Sequence, residues 1–277
     1  MPTREKLIEF LKLRKIEGNS KLWLYQIEIF LEKYLDYVKW KINKETTLEY
    51  ISMLQEKYSI AFYKKNVYQI KLFLAYLGTE WQSLIKLPND PEYVPKRVAL
   101  EDIRNTLTHF EKHQYYRQIK AIVLLGTTSG MRAEELYQLQ PQDIDIEKQM
   151  VKINHNPNIG QTTKTQRSRI SFFNQDAKKS LSEYLEYFNN GNGLGVLFGH
   201  SHLSHLFRDS PVKIKDFRKF FSQEWDRRGG PTSIKKILMG HSVKSDVDLQ
   251  FYNFQSEDDL KKIYDRVMND TPLKPAS

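Results

Sequence analysis

The sequence predicts a mainly α-helical protein with one small antiparallel β-sheet, divided into two domains. Three observations predict this. Apolar residues recur at three- and four-residue intervals through most of the chain, the signature of amphipathic helices. Alternation is confined to two short stretches, around Met150 to Asn154 and Arg167 to Phe173. Pro88, Pro91 and Pro95 fall close together and break the helical pattern.

The elements follow in order. Residues 4 to 17 read as a helix broken at Gly18 and Asn19. Leu24, Ile27, Leu31, Tyr34 and Val38 give a stripe over Lys21 to Lys41. Thr46 or Thr47 is placed to cap a third helix, and Ser59 a fourth, in which Tyr63, Val67, Ile70, Leu74 and Leu77 face one way. Lys64, Lys65 and Lys71 lie off that face, either as solvated lysines or as phosphate contacts. The proline cluster sets the boundary, giving a helical domain 1–92 and a second domain 93–277.

In the second domain, Leu100 to His113, Gln118 to Leu125 and Arg132 to Leu139 read as helices, with Gly126 to Gly130 as a turn. Asn156, Pro157, Asn158 and Gly160 supply turn chemistry between the alternating stretches, with Ile170 and Phe172 inward. Ala177 to Phe188 returns to helix before a Gly/Asn loop and the trio His200, His202 and His205. Ile214, Phe217, Phe221 and Trp225 form the apolar stripe of another helix, stopped at Gly229, Gly230 and Pro231. Thr232 or Ser233 is placed to cap the next helix, which ends at Gly240. A third segment carries Tyr252, and a last helix covers about Glu257 to Met268.

Bulk properties narrow the partners. The 277 residues are 40% hydrophobic, enough for real cores, and carry a formal net charge of +9, which favours an anionic partner. The chain has no cysteine, which removes disulfides, thiolate chemistry and cysteine zinc sites together. No apolar run approaches the roughly 20 residues that span a bilayer, and MPTREKLIEF lacks the apolar core of a signal peptide. A cytoplasmic protein is the expectation. Asp143 with Asp145, and Asp246 with Asp248, sit where turns and helix starts use acids. The histidine trio has no cysteine beside it, so no metal site is expected.

One constellation suits a specific chemistry. Breaking a phosphodiester gathers negative charge on its non-bridging oxygens, which guanidinium groups hold well. A nucleophile must attack in line, and an acid must protonate the leaving oxygen. Arg132, Lys164, Arg218, His241 and Tyr252 supply those types within one domain.

These residues also carry a resemblance. GTTSGMRAEELYQLQPQDID resembles the first arginine box of the tyrosine recombinases, or phage integrases, with Arg132 followed by Glu135 and Leu136. TTKTQRSRISF resembles the family's β-hairpin, with Lys164 at its lysine. KDFR, Lys215 to Arg218, resembles the second box. LMGHS, Leu238 to Ser242, resembles the third, with His241 at its histidine, and Tyr252 takes the nucleophile's place.

The resemblance implies a two-domain recombinase. Domain 1–92 would bind the DNA core site and domain 93–277 would catalyse. Tyr252 would form a 3′-phosphotyrosyl link, with Arg132 and Arg218 holding the phosphate and Lys164 protonating the 5′-oxygen. His241 and Lys215 would hydrogen-bond the phosphate, Glu135 would orient its neighbours, and His202 lies in a region that approaches DNA. It implies double-stranded DNA sites, a homotetramer assembled on them, a final helix packed on a neighbouring protomer, and neither metal nor ATP.

Two features depart from the common pattern. Lys215 stands where the second box begins with histidine, and Tyr252 lies eleven residues after His241. Both resemble integrases of archaeal viruses and plasmids. A lysine stays protonated near neutrality unless buried, so proton acceptance there is not expected. Two alternatives remain open: a DNA-binding protein with a decayed active site, and a type IB topoisomerase-like enzyme.

Overall fold

A computed structural model describes residues 3–90, 92, 94–191, 195–241 and 256–269. Internal contacts divide the chain into two units, Met1–Val94 and Pro95–Ser277.

The first unit is helical: α1 (Arg4–Ile16), α2 (Lys21–Tyr37), α3 (Lys44–Lys57) and α4 (Ile60–Tyr76). The predicted stripes are its core, since Ile27, Leu31, Tyr34, Val67, Ile70 and Leu74 are all buried. The buried Tyr34 hydroxyl lies 2.7 Å from Thr47 Oγ1, which donates at 2.7 Å to the Asn43 carbonyl. Thr47 is thus a core partner and not a cap. Asn43 caps α3, its Oδ1 accepting from Thr46 N at 2.9 Å.

The second unit is built around α6 (Tyr116–Ser129), which packs against α8 (Gln175–Asn190) and α10 (Ile214–Arg227). Here the structure corrects the predicted turn at Gly126 to Gly130. The helix runs to Ser129, and only Gly130 turns, at φ 66°. Thr127 and Thr128 tolerate burial because their hydroxyls donate back to the Val123 and Leu124 carbonyls at 2.6 and 2.7 Å. Space requires a glycine at position 126 of this helix: a Cβ there would lie 2.7 Å from Cδ2 of the buried Phe217.

Two short helices, α5 (Leu100–His109) and α7 (Ala133–Tyr137), flank α6 in sequence. The sheet follows, with β1 (Ile144–Asp145), β2 (Met150–Ile153) and β3 (Arg169–Phe172) in that order and antiparallel. The register sets Val151 against Ser171 and Ile153 against Arg169. Strand β1 was not predicted, being too short to show a period. Phe172 is buried as expected, but so is Ser171, whose hydroxyl donates to the Ser129 carbonyl at 2.7 Å.

Three helices complete the unit: α9 (His200–Leu206), α11 (Thr232–Met239) and α12 (Glu257–Met268). Thr232 begins α11 and Pro231 precedes it, so neither Thr232 nor Ser233 is the cap. Helix α12 buries Leu260, Tyr264, Val267 and Met268 in one cluster with Phe172, Phe221 and Trp225. Its apolar face is therefore used within its own chain. Among the described residues, no helix is long and apolar enough to cross a membrane.

Candidate active site

Three arginines converge on the end of α11. Gly240 stops that helix in the left-handed conformation at φ 65°. Its N–H donates to Ile237 O at 3.0 Å, and the His241 N–H reaches back to Lys236 O at 3.0 Å, closing the helix end. The last carbonyls of a helix have no partner within it. Here three successive ones are taken by three different arginines. Leu238 O accepts from Arg169 Nε at 2.9 Å, Met239 O from Arg218 Nη1 at 2.7 Å, and Gly240 O from Arg132 Nη2 at 3.0 Å. The negative end of the helix dipole favours such cations. His241 leaves the turn immediately beyond them.

Each arginine comes from a separate, well-anchored element. Arg132 precedes α7, where Glu135 accepts its backbone N–H at 2.8 Å, as an acid three residues into a helix can. Arg218 follows the buried Phe217 on α10, and its Nη1 also donates to Gly130 O at 2.7 Å. Arg169 opens β3.

Glu135 sits between two of them. Its side chain is 2% exposed, and both oxygens are gripped by Arg169 at 2.9 and 2.6 Å. Arg132 Nη1 adds a third contact at 2.8 Å. Burial alone would push the Glu135 carboxyl up, but the hydrogen bonds and charge of Arg169, with those of Arg132, outweigh it and hold the carboxyl below its usual range.

One carboxylate against three guanidiniums leaves a positive excess. The Arg218 guanidinium shows it: burial, then the charges of Arg132 and Arg169, push it down to about 9, still protonated at neutral pH. The His241 imidazole is likewise held below its ordinary value, by partial desolvation first and then by Arg218, Arg132, Lys235 and Arg169. Nε of Arg132, and Nε and Nη2 of Arg218, donate to none of the described residues. The centre can therefore hold an anion through guanidinium N–H groups beside an imidazole that is neutral at pH 7.

The other predicted site residues are placed differently. Lys215 is exposed on α10, one turn before Arg218. Lys164 is exposed in the turn leading into β3. That turn is ordered by Thr163, which bonds His155 Nδ1 and the Arg167 backbone at 3.0 to 3.1 Å. Tyr252 lies outside the described residues. His202 is exposed and edge-on to Tyr115 at 4.5 Å.

In the first unit, Lys64 pairs with Asp90 at 2.6 Å, Lys71 donates to the Ile85 carbonyl, and Lys65 lies 4.5 Å over the Trp23 ring. Among the described residues no group of acids and histidines could hold a metal. Asp143 is structural, accepting from Gln140 N, Asn154 and Gln161 at 2.9, 2.7 and 2.6 Å. Tyr264, the next tyrosine after Tyr252, is buried and donates to Thr128 O at 2.9 Å.

Arg169 was missed by the sequence reading. A buried Glu135 needs a cationic partner, but with 43 lysines and arginines in the chain the sequence does not say which one.

The phage integrase family model matches residues 96–255, the stretch that holds this centre. The chain belongs to that family, the tyrosine recombinases. Among curated relatives, the chain is 27% identical over 146 residues to the tyrosine recombinase XerA of Pyrococcus furiosus, covering 52% of this chain and 50% of that one. It is 28% identical over 102 residues to XerC of Histophilus somni, covering 37% and 32%. The chain thus spans about half the length or less of these relatives.

The integrase fold extends over nearly the whole chain. It is similar to a lambda integrase dimer bound to a core site, with TM-score 0.67 and 11% identity over 92% of this chain and 99% of that one. It is also similar to the Tn1549 transposon integrase in complex with transposon right end DNA, with TM-score 0.60 and 16% identity over 95% and 99%. A third likeness is to XerH recombinase bound to its difH substrate, with TM-score 0.59 and 14% identity over 94% and 84%.

Proposed function

We propose that this integrase is a site-specific DNA recombinase that cuts and rejoins strands through Tyr252. The observation that carries the reading is the anchoring of Arg132 and Arg218 on neighbouring carbonyls, Gly240 and Met239, beside His241. Guanidiniums fixed in advance by the protein stabilise developing charge without rearranging.

In this reading Arg132 and Arg218 hold the non-bridging oxygens of the scissile phosphate. The Tyr252 hydroxyl oxygen attacks phosphorus and releases its proton to solvent, the bond to the 5′-oxygen breaks, and a 3′-phosphotyrosyl ester forms. Lys164, on its ordered but exposed turn, gives a proton to the leaving 5′-oxygen. His241 donates a hydrogen bond to the phosphate, and Lys215 adds a charged one. Attack by a 5′-hydroxyl of another strand reverses the step and releases Tyr252. One ester replaces another, so no ATP is consumed, and the guanidiniums supply the charge that a metal would otherwise bring.

The partners follow from the same reading. Residues 1–92 act as the core-binding domain, with Lys65 the exposed candidate for phosphate contact, and residues 93–277 as the catalytic domain. The substrate is a double-stranded attachment site in a prokaryotic cell, and exchange needs four protomers assembled on it. Lys215 and the spacing to Tyr252 point to the branch of archaeal viruses and plasmids. Relatives of this fold have been captured on DNA, a lambda integrase as a dimer.

The test is a covalent trap. Protein is mixed with a nicked duplex carrying its attachment site, in EDTA, and resolved on a denaturing gel beside Tyr252→Phe. A protein–DNA band that disappears in the variant supports the reading. Tight binding to the site without a band would point to a decayed enzyme, the alternative that Lys215 motivates. Relaxation of supercoils by monomers, with no recombinant product, would point to a topoisomerase.

A further inference from the structure

We propose that Arg169, which never touches the phosphate in this account, is the positioning residue that sets where Arg132, Arg218 and His241 stand. The inference rests on the recombinase reading above. Three observations carry it.

Arg169 is committed to the protein. Its side chain is 9% exposed against 22% for Arg132, and its fork is engaged on three sides by both oxygens of Glu135 and the Leu238 carbonyl. It acts through Glu135, which in turn holds the Arg132 backbone and guanidinium. Shifting Glu135 therefore shifts Arg132.

The turn that delivers His241 rests on the same side chain. A Cβ on Gly240 would lie 2.7 Å from Arg169 Cδ, 2.8 Å from Nε and 2.9 Å from Cζ. The Arg169 side chain thus packs against the backbone one residue before His241, and Gly240 is the residue that lets it.

Arg169 also joins two parts of the site. It opens β3, five residues after Lys164 and in register with Ile153 of β2. Its bond to Leu238 ties the hairpin that carries Lys164 to the end of α11. A lysine offers one compact ammonium in place of a planar fork and cannot reproduce three divergent bonds.

Arg169→Lys and Arg169→Gln test this. The readouts are thermal unfolding, affinity for the attachment site, the rate of covalent-complex formation across pH, and the His241 imidazole titration by NMR. Both variants should bind DNA within about twofold of the parent, because the exposed cations remain. Both should cleave on the order of 100-fold more slowly, the effect expected when reacting groups are misplaced by about 1 Å.

Arg169→Gln should also move the His241 titration upward. It removes one of the cations facing that imidazole, leaving Arg218, Arg132 and Lys235. Arg169→Lys should move it less. If Arg169→Gln fails to fold, Arg169→Lys decides alone. Cleavage by Arg169→Lys at the parental rate overturns the proposal. If the parent itself forms no covalent complex, the recombinase reading fails separately. The NMR titration then decides the placement, since an unchanged His241 in the folded variants would show that Arg169 sets nothing there.

Discussion

Arg132 and Gly240 are joined by a hydrogen bond of 3.0 Å from Nη2 to the carbonyl oxygen, across 108 residues of sequence. That one contact puts the guanidinium of the first arginine box against the helix end that delivers His241. The boxes meet because α11 leaves its last carbonyls open and arginines fill them.

Glu135 is the counter-charge of this cluster, and its loss should be costly. Glu135→Gln keeps the shape but leaves buried guanidiniums without their carboxylate, a change worth about 3–5 kcal/mol. Denaturant unfolding at neutral pH measures it. The pH dependence has a definite sign. The folded carboxyl lies below its unfolded value, near about 4.3, so its contribution is complete above that value and is lost as pH falls through the folded one. The acid limb of the parental stability curve should therefore flatten in Glu135→Gln.

Gly126→Ala should destabilise, although alanine is the better helix former. The propensity gain is about 1 kcal/mol. Against it, the new Cβ would lie 2.7 Å from Phe217 Cδ2 and 3.1 Å from Leu136 Cδ1, and both side chains are fully buried. Overpacking of that kind costs about 1–3 kcal/mol. A stabilised variant in urea unfolding would mean that Phe217 yields freely.

Tyr264→Phe separates stability from chemistry. The hydroxyl donates to Thr128 O at 2.9 Å within the core, and burial raises the phenol well above its ordinary value. Removing it leaves a buried carbonyl short of a partner, at about 1–3 kcal/mol. Covalent-complex formation below the melting transition should be unchanged.

Much of this was readable from period and punctuation. The stripes on α2, α4 and α10 place the cores, because helical burial repeats at fixed intervals. The boxes place Arg132, Glu135, Arg218 and His241, which the fold brings together. What was unreadable depended on tertiary partners. The end of α6 looked like a turn because Gly126 and two threonines break propensity rules, and only the Phe217 ring and the back-bonded hydroxyls explain them. The cap of α3 was assigned to threonine because Asn43 and Thr46 are both good caps, and Thr47 turned out to be bonded to Tyr34. Arg169 was hidden because a strand residue opposite Ile153 gives no sign that a glutamate lies across from it.

The central claim is that Tyr252 becomes joined to DNA, and peptide mapping tests it most directly. The covalent complex is trapped on a nicked site, digested with nuclease and then trypsin, and analysed by mass spectrometry. Cleavage after Lys244 and Lys261 yields a peptide, residues 245–261, whose single tyrosine is Tyr252, while Tyr264 falls in the separate peptide 263–266. The account predicts a nucleotide adduct on the first peptide. An adduct on the second, or on neither, would contradict it.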